Sequence, residues 1–148
     1  MGSLAAVIAC LVTSAGCGEP PVAQPQPPSV SAFAISYVRS GGLKSMPQKL
    51  TIMPGRHASA TVSTPPTGIR TVRFRVGAKR IVSLRKGLSE AHFSQLRTSN
   101  PGNCADCFLY SLRYRGHDVT LTEVDVPSPL RAVIDQLEAL IAAHRPLH

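Results

Sequence analysis

The sequence is short of charge, and above all of acidic charge. Only 16% of its 148 residues are charged, and 8 Asp and Glu stand against 16 Lys and Arg. Ordinary soluble domains carry roughly 25% charged residues. Beyond the N-terminus there is no run of about 18 apolar residues, which argues against a polytopic membrane protein. The length leaves room for one domain, and 43% hydrophobic residues can form its core, so neither a multidomain enzyme nor a wholly disordered chain is expected.

Sequence motifs of catalysis are also missing. The chain has no HExxH pair for a metal, no GxSxG turn for a serine nucleophile and no glycine-rich phosphate loop. Cys107 and His117 could meet across a hairpin, but no third group is placed to orient the histidine, so a surface histidine is favoured. We therefore expect a protein that binds a partner, without enzymatic activity, cofactor or metal.

Residues 1–17 read as an export signal. Their apolar stretch, Leu4 to Val12, is far shorter than the roughly 20 residues of a membrane-spanning helix. Small residues then lead into Cys17, and this arrangement resembles a bacterial lipoprotein processing site. The resemblance implies that Cys17 becomes the acylated first residue and anchors the protein on the extracytoplasmic side of a membrane. The alternative is an ordinary cleaved signal peptide, an incidental Cys17 and a secreted protein.

Residues 18–31 form a proline-rich linker, with five prolines in fourteen positions. Proline fixes the backbone angle φ and lacks an amide hydrogen, so this composition predicts an extended spacer without a fold. Behind an acylated cysteine, such a spacer would hold a domain away from the membrane. A disordered tail is the alternative, since composition cannot distinguish the two.

The remaining residues, 32–148, predict a small α+β domain. Alternating or apolar segments indicate strands at 32–39, 48–53, 71–76, 108–115 and 118–124, and 81–84 is a candidate extension of the sheet. A short helix is expected over 89–98, with Ser89 as its N-cap, and an amphipathic helix is expected from Ser128 onward. The expected architecture is about four antiparallel strands with two helices packed on one face.

Short motifs in this domain resemble the emfourin family, the protein inhibitors of the thermolysin-like metallopeptidase protealysin. The similarity covers roughly residues 33–141 and is best from 104 onward. The residues that carry it are Ser40-Gly41-Gly42, Leu88-Ser89, Asp106-Cys107-Phe108-Leu109-Tyr110, Asp125-Val126-Pro127, Leu130-Arg131 and Leu137. The resemblance implies an emfourin-like domain that binds the mouth of a metallopeptidase active site and inhibits the enzyme.

The expected partner-binding surface is the turn of Ser40, Gly41 and Gly42 together with Leu43 and Met46. A protease cleft accepts a protruding, locally extended segment that carries an apolar anchor. The alternative is an ordinary β-turn in which the glycines serve only the backbone geometry.

Cys104 and Cys107 are separated by two residues and allow several interpretations. A structural zinc site needs four ligands, and a second cysteine pair is missing while the histidines are scattered. A thioredoxin-like redox role needs the pair at the start of a helix, whereas here it precedes a predicted strand. In an exported chain the favoured reading is a local disulfide or two free thiols.

The segment from Arg39 to Lys86 carries eleven positive residues, and no acidic residue lies between Glu19 and Glu90. Such a segment would attract phosphates, anionic lipid headgroups or acidic proteins. Nucleic acid is not an expected partner, because no aromatic residues interleave the charges for stacking and export removes the protein from the cytosol. The second function hypothesis is thus a non-enzymatic lipoprotein of the cell envelope whose basic face binds anionic partners.

Overall fold

The computed structural model of the chain describes residues 33–42, 46–64, 68–100, 104 and 106–145. Six strands form one antiparallel sheet, in the order β4-β3-β2-β1-β5-β6. The elements along the chain are β1 (Ile35–Gly41), β2 (Gln48–Ile52), β3 (His57–Thr64), β4 (Gly68–Arg75), α1 (Ala78–Glu90), β5 (Phe108–Tyr114), β6 (His117–Thr122) and α2 (Ser128–Ala143).

One face of the sheet and both helices share a single hydrophobic core. Alternate residues along β1, β2, β3, β5 and β6 point into it, as the twofold period of a strand requires, and the partly buried Phe74 of β4 packs against it. The strands contribute Ile35, Tyr37, Leu50, Ile52, Ala58, Ala60, Val62, Tyr110, Leu112, Val119 and Leu121. The helices contribute Ile81, Leu84, Leu88, Leu130, Val133, Ile134, Leu137, Leu140 and Ile141. The predicted α+β class with both helices on one face is therefore confirmed.

The other face of the sheet carries polar side chains. Ser36 pairs with Thr51, and Thr61 with Thr71. Hydroxyl groups join neighbouring strands on this face, since the Oγ1 atoms of Thr61 and Thr71 lie 2.9 Å apart. The alternation of apolar and polar residues thus separates a packed face from a hydrophilic one.

The expected number of strands was wrong: the sheet has six, not about four. The segment 61–66 has no clear pattern in the sequence, yet residues to Thr64 belong to β3, which pairs with both β2 and β4. Ala58 and Ala60 point into the core between serine and threonine residues. Alanine is close to serine in size and is only weakly hydrophobic, so this strand shows only a weak hydrophobic alternation.

The first helix was also placed wrongly. The helix α1 ends at Glu90, where the sequence predicted a helix over 89–98 with Ser89 as its N-cap. Gly77 occupies the N-cap position, and only a short 3-10 turn, Phe93–Gln95, lies in the predicted range. Residues 81–84, expected to extend the sheet, are helical because Ile81, Leu84 and Leu88 fall on one buried helix face.

The C-terminal half agrees with the patterns in the sequence. The strand predicted over 108–115 is β5, and it forms a hairpin with β6 through Arg115 and Gly116. The helix α2 begins at Ser128, as predicted, and Pro127 occupies its N-cap position. Its apolar residues recur at helical spacing, so one face is buried over most of its length. Within the described ranges, neither helix is long and apolar enough to span a bilayer.

Candidate functional site

The glycine corner, which we define as Ser40, Gly41, Gly42 and Met46, lies at the end of β1. Leu43, predicted with it, lies outside the described residues, as does Cys17, the predicted lipidation site. The φ angles of Gly41 and Gly42 are 78° and 74°, in the left-handed region that glycine adopts without strain. The sequence pair Gly-Gly therefore serves a backbone geometry that other residues adopt only at a cost.

The two glycines pack closely against the segment that leads into β5. A Cβ atom added to Gly41 would lie 2.6 Å from the carbonyl oxygen of Cys107, and one added to Gly42 would lie 2.6 Å from the Phe108 ring. The Gly42 amide donates a hydrogen bond to that same Cys107 oxygen at 3.3 Å. There is no room for side chains at these positions, so the corner is held against Cys107 and Phe108.

A disulfide joins Cys104 to Cys107, directly before β5. The two sulfur atoms are bonded to each other, so in this form neither is available as a zinc ligand or as a nucleophile. His117, the other member of the hypothetical dyad, hydrogen-bonds through Nε2 to the Leu96 carbonyl oxygen at 3.0 Å. The small covalent loop instead supports the backbone on which the glycine corner rests.

Behind the corner, a polar network connects β1 to α2. Arg39 lies 3.0 Å from the Glu138 carboxylate, and the Tyr37 hydroxyl donates to the same oxygen at 2.8 Å. The Arg39 guanidinium also lies 4.8 Å from the centre of the Phe108 ring, a distance at which cation–π attraction operates. With its amide oriented to satisfy both partners, Gln48 accepts hydrogen bonds from Arg39 and from Arg145.

The electrostatics of this network follow from its burial. Burial raises the pKa of the Tyr37 phenol far above its ordinary value, and the Glu138 carboxylate raises it further. The phenol therefore stays protonated and keeps donating to Glu138. Sequence reasoning did not find Arg39, Tyr37 or Glu138 as a group, because Glu138 lies about a hundred positions from the others and no local pattern signals the contact.

The corner exposes backbone and one apolar side chain. Gly41 is exposed, Ser40 and Gly42 are half-buried, and the side chain of Met46 is 42% exposed. Arg39 pairs with Gln48, so the chain returns past Met46 at the same end of the sheet. The structure thus places the predicted residues Ser40, Gly41, Gly42 and Met46 at one end of the sheet.

A group of basic residues lies on two other elements, β4 and α1. Arg70, Arg73 and Arg75 lie along β4, a strand at one side of the sheet, and all three are exposed. We call these three residues the arginine edge. Lys79 and Arg80 follow at the exposed start of α1. Within the described residues, the basic positions from Arg70 to Lys86 therefore belong to the sheet and to the first helix.

The comparisons with known proteins add no family to these observations. The chain matches no protein-family model and no curated protein. In the part of the chain that the structure describes, no three or more His, Cys, Asp or Glu side chains are grouped so as to hold a metal ion.

Proposed function

We propose that this chain is an exported, lipid-anchored binding protein that inhibits a thermolysin-like metallopeptidase, as the emfourin resemblance implies. The observation that supports the proposal is the glycine corner: Gly41 and Met46 are exposed, and Gly41 and Gly42 pack closely against the segment before β5. The binding residues are Ser40, Gly41, Gly42 and Met46, with Leu43 beside them in the sequence.

Rigidity is what makes such a corner useful in a protease cleft. A flexible segment loses conformational entropy when it binds, and a segment already held in its bound shape loses less. Here the Gly42 amide donates a hydrogen bond to the Cys107 carbonyl oxygen, and a disulfide joins Cys107 to Cys104. Met46 would supply the apolar anchor that enters a pocket of the enzyme.

The inhibition is tested by adding the purified chain to thermolysin-like enzymes and following cleavage of a peptide substrate. We expect loss of activity at micromolar protein and a roughly tenfold higher inhibition constant for Met46→Ala, since a buried apolar anchor contributes one to two kcal/mol, about a factor of ten. Met53→Ala is the matched control, because Met53 is 48% exposed at the opposite end of β2. No inhibition at micromolar protein, or equal effects of both substitutions, would overturn the proposal.

The membrane anchor is tested separately. Labelled palmitate should enter the wild-type chain and the Cys10→Ala variant, whose missing thiol lies within the apolar stretch of the signal. It should not enter Cys17→Ala. Equal labelling of all three chains would exclude specific acylation of Cys17. Absence of label from all three would leave the alternative of a cleaved, secreted protein.

A second function, a cell-envelope protein that binds anionic partners, is favoured by the arginine edge. Arg70, Arg73 and Arg75 place three exposed cations on one eight-residue strand. Vesicles that contain anionic lipid should then bind the purified chain more tightly than neutral vesicles, and added salt should weaken the binding. Replacing the three arginines with glutamine should abolish the difference, whereas equal binding to both vesicles would dismiss this function.

A further inference from the structure

A cavity of about 530 Å³ lies at the opposite end of the sheet from the glycine corner. It is bounded by the last turns of α1, by the 3-10 turn Phe93–Gln95 and by the turn between β5 and β6. In the β1–β5 pairing, Gly41 lies opposite Phe108, whereas Ile35 lies opposite Tyr114, which lines the cavity. The cavity is therefore remote from the surface assigned to protease binding.

The floor of the cavity is apolar and held in place. Leu88 and Phe93 are buried, and the Phe93 ring meets the Tyr114 ring edge to face, with centroids 5.9 Å apart. The His117 ring stands edge-on to Phe93 at 5.6 Å and is fixed by its hydrogen bond to Leu96. Rings locked in this way form a preformed surface against which a flat apolar group can pack.

The rim of the cavity is cationic. Arg85, Lys86 and Arg115 line it together with the hydroxyl-bearing Ser89 and Ser94. The Arg115 guanidinium lies 5.3 Å from the centre of the Tyr114 ring, so its charge is held over the aromatic floor. Within the described ranges no acidic residue lines the cavity, and Glu90 lies 3.8 Å from the Lys86 ammonium on the exposed surface of α1. The residues of the rim therefore carry a net positive charge.

The backbone at this rim is strained. Only three residues other than glycine have a positive φ in the described part of the chain, and two of them, His92 at 46° and Arg115 at 51°, line the cavity. Positive φ at both Arg115 and Gly116 is the pattern of a type I′ hairpin turn, which favours Asn, Asp or Gly at the first position. Arg115 occupies a strained position that asparagine would adopt more easily. Its presence there points to a function for its side chain.

We propose that this cationic pocket binds a small organic anion, namely a phosphate or carboxylate group carried on an aromatic body. The anionic group is held by Arg115, Lys86 and Arg85 with the serine hydroxyls, and the aromatic body packs on Phe93 and Tyr114. Guanidinium groups suit such anions because they donate several hydrogen bonds in a fixed plane. The volume falls within the range of pockets that enclose small ligands.

The proposal is tested with phenyl phosphate as the probe, titrated into the full-length chain and followed by calorimetry. Inorganic phosphate, which represents the anionic group alone, and benzyl alcohol, which represents the aromatic body alone, are titrated in the same way. We expect phenyl phosphate to bind about tenfold more tightly than either, because each half contributes a separate interaction. No saturable binding at millimolar phenyl phosphate, or equal affinity for phenyl phosphate and either half, would overturn the proposal.

The matched variants are Arg115→Asn and Arg73→Gln, each of which removes one positive charge. Asparagine suits the turn, so Arg115→Asn should keep its melting temperature while weakening phenyl phosphate binding about tenfold. Arg73 is exposed on β4 and does not line the cavity, so its loss should leave the affinity unchanged. Lys86→Gln, on the exposed face of α1, provides a second test. Equal weakening by pocket and control variants would show general charge attraction and contradict a specific site.

Discussion

At the scale of single residues, polar contacts between β1 and α2 hold side chains at the border of the apolar core. Tyr37 is fully buried, but its hydroxyl reaches the half-buried Glu138 and is satisfied there. Arg39 contacts the same carboxylate, so one acid on α2 holds two side chains of β1. This arrangement positions the strand that carries the glycine corner.

Tyr37→Phe tests this contact. Loss of the hydrogen bond to a carboxylate should lower the free energy of unfolding at neutral pH by about 1–2 kcal/mol. Burial, with Glu138, raises the pKa of Tyr37 in the folded state, so the native protein holds the phenolic proton more tightly than the unfolded chain. The resulting stability is present below the unfolded pKa, about 10, and is lost as the pH rises above it. Denaturant unfolding at pH 8 and pH 11 should therefore show a smaller alkaline loss for the variant, and parallel losses would contradict the prediction.

Asp125 provides the opposite case at acidic pH. A hydrogen bond from the Thr122 hydroxyl, with a second from Ser99, lowers the pKa of this carboxyl. A lowered pKa stabilises the fold above the unfolded value of about 3.9, and that contribution is lost as the pH falls through the folded value. Asp125→Asn should therefore flatten the loss of stability below pH 4 in unfolding experiments. An unchanged acid dependence would show that the contact contributes nothing.

At the scale of elements, the two helices meet at a glycine. A Cβ atom added to Gly87 of α1 would lie 2.5 Å from a methyl group of Val133 on α2. Val133 is fully buried, so it has little room to move away. Gly87 is therefore kept inside a helix, where it costs about 1 kcal/mol relative to alanine, because the two helix backbones approach closely there.

Gly87→Ala should destabilise the protein by about 1–2 kcal/mol, since the clash with Val133 outweighs the gain in helix propensity. Val133→Ala creates a cavity and destabilises by itself, but it also makes room for the new methyl group. The double variant should consequently be more stable than the sum of the two changes predicts, by about 1 kcal/mol. Thermal or denaturant unfolding measures all four proteins, and strict additivity would exclude the proposed contact.

At the scale of the whole molecule, the two edge strands of the sheet, β4 and β6, are protected in different ways against pairing with another molecule. Along β6, the amide of Ser99 donates to the Thr120 carbonyl and the Thr120 amide donates to the Thr98 hydroxyl, so this side is covered. On the other side, no strand in the described residues lies beyond β4. Edge strands with free backbone groups invite pairing between molecules, and charged residues oppose it. We therefore expect the arginine edge to oppose association of the protein through β4.

Replacing Arg73 and Arg75 with threonine should promote association, because like charges no longer repel across two β4 strands and threonine favours strand pairing. Light scattering coupled to size exclusion would show the dimers or larger species. Lys79→Gln/Arg80→Gln removes the same charge from the exposed start of α1 and should leave the protein unassociated. Equal association of both double variants would show that the association depends on net charge alone and not on the β4 edge.

Much of the C-terminal half could be predicted from the sequence, because its apolar and polar residues differ clearly and recur at the spacing of a strand or a helix. Tyr110 and Leu112 alternate with Ser111 and Arg113 in β5, and the apolar face of α2 recurs at helical spacing. In β3 the inward residues include alanines among serines and threonines, so the alternation hardly shows. The buried face of α1 consists of only Ile81, Leu84 and Leu88 among several cations, so the sequence shows little helical periodicity there.

The sequence by itself determined the α+β class, the β5–β6 hairpin, the amphipathic α2 and the glycine pair that turns the chain after β1. These depend on the chemistry of residues close together in the chain, which local periodicity reports. Only the tertiary structure decided that the Gly42 amide donates a hydrogen bond to Cys107 and that the Glu138 carboxylate contacts both Tyr37 and Arg39. It also decided that aromatic rings and cationic side chains line the same cavity. Those contacts exist because β1 lies between β2 and β5, and strand order depends on the packing of the whole core.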